Sequence, residues 1–289
     1  MTVAFAMSGG ANLGPMQAGA VMALLEGGVV PDLLVGTSVG ALNAAYLSTR
    51  PGLRGAQSLR TAWTQLRRHD VASLNPIGLL AGFLGFRDYL LSADRLRATI
   101  RRWIEIERLE EATTPLHIVA TDALNGQPVV LHSGEILDAV SASAAIPGLL
   151  PPVRIGGRWL IDGTLSAGCP VLQAQELGAD TIYMITTATA PRARTPRGAL
   201  AMAMNSVSLA TAQTNQGRLE AALAHASRHN GRVHVVPSGL PEAPGPFDLS
   251  RTPVLAETAY RSAKSWLEST RDPASRPAPS GSDGAARPA

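Results

Sequence analysis

Lysine and cysteine are nearly absent from this chain of 289 residues: Lys264 is the only lysine and Cys169 the only cysteine. A single cysteine excludes an internal disulfide, so the fold must rest on its core, as suits a reducing compartment. With lysine so scarce, arginine carries nearly all the basic charge, and the formal net charge is only +3. So small a charge over this length gives no footprint for nucleic acid, although it tolerates contact with an anionic membrane surface. Long apolar runs are missing too, and none approaches the roughly 18 residues that span a bilayer. The opening Met1-Thr2-Val3-Ala4-Phe5-Ala6-Met7 lacks the basic flank of a secretory leader. Together these absences predict a soluble, cytoplasmic protein that is at most peripheral to a membrane.

What is present is apolar material for a large core: 45% hydrophobic residues against 16% charged. Strand and helix patterns alternate, which predicts an α/β fold with a mainly parallel central sheet. Strands are expected at Val3 to Met7, Leu33 to Val35 (broken at Gly36), 116–120, 128–131, 158–161, 181–186 and 233–236. Helices are expected from Met16 to Leu24, from Val39 to Leu47, and at 56–67, 94–107, 134–143, 171–178, 199–224 and 253–269. From Asp272 to Ala289 the composition falls to Pro, Ala, Ser, Gly and Arg, which predicts a disordered tail. One domain, residues 1–271, followed by a tail, 272–289, is the simplest division.

Gly36-Thr37-Ser38-Val39-Gly40 has the G-x-S-x-G form between a strand and a helix. That spacing suits a sharp turn that lifts a serine hydroxyl above the sheet, with glycines letting the backbone pass on either side. The helix that follows aims its first amides, and its positive dipole end, at a developing oxyanion. The plainer reading is a glycine-flanked turn with an N-capping serine. An α/β-hydrolase triad does not fit, because Ser38 follows only the second strand. The histidines at 69, 117, 132, 225, 229 and 234 lack a triad context, and His225 with His229 has no third metal ligand.

A serine without histidine needs another base, and Asp162 stands where Arg158-Trp159-Leu160-Ile161 ends in Asp162-Gly163. A carboxylate at a strand's carboxyl end, partly desolvated and within reach, can take a serine proton directly. Asp-Gly is also a common turn signal, and Asp122 is a competing strand-end carboxylate. A third element, Ser8-Gly9-Gly10-Ala11-Asn12-Leu13-Gly14, again joins strand to helix and leaves amides free for an anion. Its spacing fits neither G-x-G-x-x-G nor a P-loop.

In order along the chain, the glycine loop, the G-x-S-x-G turn and the distant Asp-Gly resemble the signature of the patatin-like phospholipase family. The run Ser141-Ala142-Ser143-Ala144-Ala145-Ile146-Pro147-Gly148 through Pro151-Pro152-Val153 resembles the block that precedes the family's aspartate, and Pro170 follows at a similar distance. The resemblance covers about Val3 to Leu172, with a weaker likeness near Phe247 to Leu267. It implies a three-layer α/β/α fold and hydrolysis of lipid esters by a Ser38–Asp162 dyad. The amides of Gly9, Gly10 and Ala11 would hold the oxyanion, with Gly36, Gly40 and Gly163 supporting the turns. It also implies a lipid ester substrate and no metal or organic cofactor.

Two features depart from the family pattern. Ala11 and Leu13 stand at the third-glycine and basic positions of its loop, and Thr164 to Cys169 lacks the asparagines often found after Asp-Gly. The first departure keeps open a second reading, a weak or inactive lipid- or partner-binding member of the fold. A nucleotide-binding domain using Ser8 to Gly14 is a more distant third. Pro76 to Leu91, apolar and broken by glycines, is followed by Arg95, Arg97, Arg101 and Arg102. It suits either a mobile cap that dips into a bilayer or a short core helix with a basic face.

Overall fold

Strands flanked by helices on both faces are built from almost uninterrupted apolar runs, because neither face is left for water. A computed structural model describes residues 1–71, 86–187, 198–228, 231–239 and 248–271. Within them, eight strands form one sheet: β1 Val3–Met7, β2 Leu33–Thr37, β3 Leu116–Asp122, β4 Pro128–Leu131, β5 Val153–Ile155, β6 Arg158–Asp162, β7 Thr181–Ile185 and β8 Arg232–Val236. The order β3-β2-β1-β7-β8 is parallel throughout, and β4, β5 and β6 join antiparallel. After β1 the chain steps to β2 and β3 on one side and later returns to β7 on the other. That reversal makes a crevice at the strands' carboxyl ends, where such sheets bind ligands.

The main helices are α1 Gly14–Glu26, α2 Val39–Thr49, α3 Leu53–Gln65, α4 Asp94–Trp103, α5 Ile136–Ser143, α6 Val171–Glu176, α7 Ala199–Arg228 and α8 Thr252–Arg271. Alternation along each strand sorts the core into two layers. Phe5, Met7, Leu34 and Ile118 pack with Val21, Ala45, Leu59 and Leu267 from α1, α2, α3 and α8. Ala4, Ala6, Val35 and Val119 pack with Val171 and Ala174 of α6 and Ala222 of α7. The fold is therefore a three-layer α/β/α sandwich. Each fully buried large side chain, such as Phe5 or Leu34, contributes about 1.5–3 kcal/mol. Among the described residues no helix is long and apolar enough to cross a membrane.

β3 organises the site. Asp122 donates its N–H to Gln127, toward β4, whereas Ala123 donates to Trp159, toward β6. Pro115, on the same odd-numbered edge as Ala123, accepts from Leu34 of β2. Neighbouring residues of a strand turn their backbone groups to opposite edges, so β2 and β6 share one edge of β3. β2 pairs along it as far as Thr37 opposite Val119, and β6, running the other way, ends with Asp162 opposite Ala120. The two carboxyl ends therefore meet.

Some expectations shift. β2 runs through Gly36 to Thr37 rather than breaking there, because the residue is buried and paired with Ile118. β5 was not foreseen: it is three residues long and directly follows Pro151-Pro152, which the sequence marks as loop. Residues 76–85 of the candidate cap, His229 and the tail 272–289 lie outside the described residues.

Candidate active site

Between β2 and α2, Ser38 adopts φ 55° and ψ −120°. For a residue with a Cβ this backbone is strained by about 1–3 kcal/mol and must be held by its surroundings. The hold is visible. The Ser38 N–H donates to Ser143 Oγ at 2.8 Å, and that hydroxyl donates to the Val119 carbonyl at 2.6 Å. α2 folds back so closely that a Cβ at Gly36 would strike the Gly40 carbonyl, and one at Gly40 would strike that of Met7. Both flanking glycines are therefore steric necessities of the elbow.

The Ser38 hydroxyl donates to Asp162 Oδ2 at 2.8 Å, across 124 residues of sequence. Asp162 is 4% exposed, and its Oδ1 accepts the Thr164 N–H at 2.8 Å. Burial pushes its carboxyl above the usual range, opposed by hydrogen bonds from the Thr164 N–H, the Thr164 side chain and Ser38. The backbone is fixed as well: Asp162 N–H donates to Ala145, and Gly163 N–H to Ser143. A Cβ at Gly163 would meet the Val119 carbonyl. The competing Asp122 instead caps its hairpin, accepting the Leu124 N–H at 2.9 Å. Among the described residues no group of three His, Cys, Asp or Glu side chains gathers to hold a metal.

Most polar groups of the glycine loop are engaged within the protein. Ser8 N–H donates to Ile185, and the Ser8 carbonyl accepts from Gln17 Nε2 at 2.8 Å. Ser8 Oγ accepts the Thr187 N–H, and the Gly9 carbonyl accepts the Thr187 hydroxyl. The Gly9 N–H is engaged too, donating to the Gly168 carbonyl at 3.1 Å. Among the described residues the N–H groups of Gly10, Ala11 and Val39 donate to no protein acceptor. Gly10 and Ala11 are at least partly open to solvent and Val39 is buried, so these amides are available to an anion. Ala11 holds its place in the loop at φ 48°, a conformation that glycine takes more readily.

Ala11, Ser38 and Val39 open into a cavity whose other walls are mostly apolar: Leu42, Trp63, Leu91, Leu96, Ile146 and Leu149 contribute. Leu91 is the end of the apolar 76–91 segment, tied to the site by its N–H donating to Leu149. A chain of buried polar groups supports the wall. Trp63 Nε1 donates to Asn43 Oδ1 at 2.8 Å, and Asn43 Nδ2 to Gln17 Oε1 at 2.9 Å.

Residues 5–174 match the family model described as patatin-like phospholipase. The chain belongs to that family. An uncharacterized NTE family protein of Mycobacterium tuberculosis is 29% identical over 184 residues, covering 64% of this chain and 48% of the relative. Patatin-like phospholipase domain-containing protein 6 of Mus musculus is 28% identical over 187 residues, covering 64% and 13%. The matched stretch thus spans less than half the length of these curated relatives. The crystal structure of VipD from Legionella pneumophila aligns with a TM-score of 0.46 at 14% identity, covering 93% of this chain and 67% of that one. The patatin stretch holds the glycine loop, the serine elbow and the Asp-Gly turn, and it stops before α7. Sequence reasoning passed over Ser143, Thr164 and Asn215, whose contacts join segments far apart in the chain.

Proposed function

We propose that this patatin-family chain is a serine acyl hydrolase of lipid esters, with Ser38 as nucleophile and Asp162 as base. The observation that carries the reading is the 2.8 Å hydrogen bond to a buried carboxylate from Ser38 Oγ, whose residue lines an apolar cavity. In this reading Ser38 Oγ attacks the ester carbonyl as its proton passes to Asp162 Oδ2. The carbonyl oxygen, now negative, rests on the amides of Gly10, Ala11 and Val39, with the dipole of α2 behind them. Collapse of the tetrahedral adduct expels the alcohol, which takes the proton from Asp162. Water then repeats the sequence on the acyl-enzyme, releasing the fatty acid and restoring Ser38. The acyl chain would lie along Leu42, Leu96 and Leu149. A cytoplasmic location belongs to the same reading, as does peripheral membrane contact, which is supported by Phe86, 80% exposed beside Arg87 in the segment that reaches the cavity through Leu91.

Purified protein assayed on p-nitrophenyl esters of increasing chain length should turn over. Ser38→Ala and Asp162→Asn should each lose on the order of 10³-fold or more in kcat. Equal activity of Ser38→Ala and the parent would sink the proposal. Ala11 at positive φ favours one other reading, a member that binds lipid without hydrolysing it. Absence of turnover from folded parent protein supplied with lipid vesicles would select it.

A further inference from the structure

We propose that Asn215, on α7 and beyond the family match, is a positioning residue for this site. Its carboxamide staples the Thr164–Gly168 turn and so sets the base and the glycine loop in register. The proposal rests on the Ser38–Asp162 reading and deepens it.

Mid-helix asparagines ordinarily point to solvent or compete with the helix's own hydrogen bonds. Asn215 does neither, being 8% exposed and directed inward. Its Nδ2 donates to the Thr164 carbonyl at 3.0 Å, and its Oδ1 accepts the Gly168 N–H at 2.9 Å. Both polar atoms of one side chain are thus spent on the two ends of a single turn, Thr164–Ala167 with Gly168 as its cap. Position 168 is shaped to receive it, because a Cβ on Gly168 would occupy the place of the Asn215 amide nitrogen.

Each end of that turn leads to a different part of the machinery. Thr164 gives its N–H to Asp162 Oδ1, the oxygen that does not face Ser38. Gly168 gives its carbonyl to the Gly9 N–H, immediately before the free amides of Gly10 and Ala11. One carboxamide therefore bonds both the residue that partners the base, Thr164, and the residue that anchors the loop, Gly168. Loosening the turn would move both. It would also withdraw a hydrogen bond that favours the ionised form of Asp162, so the protonated form would persist to higher pH.

The test uses the full chain and p-nitrophenyl esters, with Asn215→Ala, Gly168→Ala and the double variant. Asn215→Ala should lose roughly 10- to 100-fold in kcat, as misplacement of reacting groups does, with KM within about twofold of the parent. Its acid limb should move to higher pH, which a merely structural loss would not produce. Gly168→Ala should resemble it, and the double variant should be no worse than the poorer single one, since both act on one contact. Hydrogen exchange provides a readout that needs no turnover: amides in 8–12 and 163–169 should exchange faster in Asn215→Ala. Unchanged kcat and acid limb, or unchanged exchange in 8–12, would overturn the proposal. If the parent and Ser38→Ala are equally inert, the dyad reading fails, and exchange alone still decides whether Asn215 couples turn to loop.

Discussion

Asp162 carries opposite demands. As the proposed base it must be ionised, yet burial raises its pKa above the ordinary carboxylate range. The acid limb of kcat/KM should therefore lie higher than for an exposed aspartate, which a pH–rate profile reads directly. Linkage gives the matching stability effect. With the folded pKa above the unfolded one, the native state binds the extra proton between the two values, and stability falls as pH rises through that window. Asp162→Asn keeps a carbonyl for the Thr164 N–H and removes the buried charge. It should melt above the parent at neutral pH, with the difference shrinking as pH falls, as paired thermal melts would show. A lower melting temperature at neutral pH would count against a costly buried carboxylate. Ser38 was legible locally, through glycines at a strand end, whereas Asp162 shared an ordinary Asp-Gly turn signal with a rival in Asp122 and was singled out only by the order of the motifs. Ser143 and Asn215 were not, since their partners lie 105 and 47 residues away and nothing in the local pattern marks a serine or an asparagine as a clamp.

Among the elements, the strands buried on both faces were the easiest to read, because apolar runs closed by polar or glycine residues leave few alternatives. β5 escaped because three residues behind two prolines carry too little periodicity. The elbow between β2 and α2 is the element with least tolerance. Gly40→Ala would push a methyl group into the Met7 carbonyl, so it should cost about 1–3 kcal/mol by overpacking. It should also displace Ser38, and equilibrium denaturation alongside an ester assay would measure both losses. Retained stability would mean that α2 shifts freely, contrary to the close packing of Ala41, Ala44 and Ala45, all 0% exposed.

For the molecule as a whole, the parallel sheet and the ordering of its motifs were readable, whereas the cavity was not. Its walls come from α2, α3, α4, α5 and separate loops, and only folding gathers Leu42, Trp63, Leu96 and Leu149 around one serine. The cavity predicts a limit on acyl length. Leu91→Trp narrows the cavity, so the preferred p-nitrophenyl ester should shorten while kcat on the shortest esters stays within about threefold of the parent. An unaltered length preference would place the acyl chain elsewhere.

The shared edge of β3 also has a meaning in time. β2 brings Ser38 to that edge early in synthesis, and the far end of the same edge stays vacant until β6 is made and pairs antiparallel against it. A slip of β6 by two residues would carry Asp162 about 7 Å along the rail. A chain cut or stalled before residue 162 thus leaves the Ser38 hydroxyl without its carboxylate partner, and under the proposed mechanism turnover reports that β6 has docked in register.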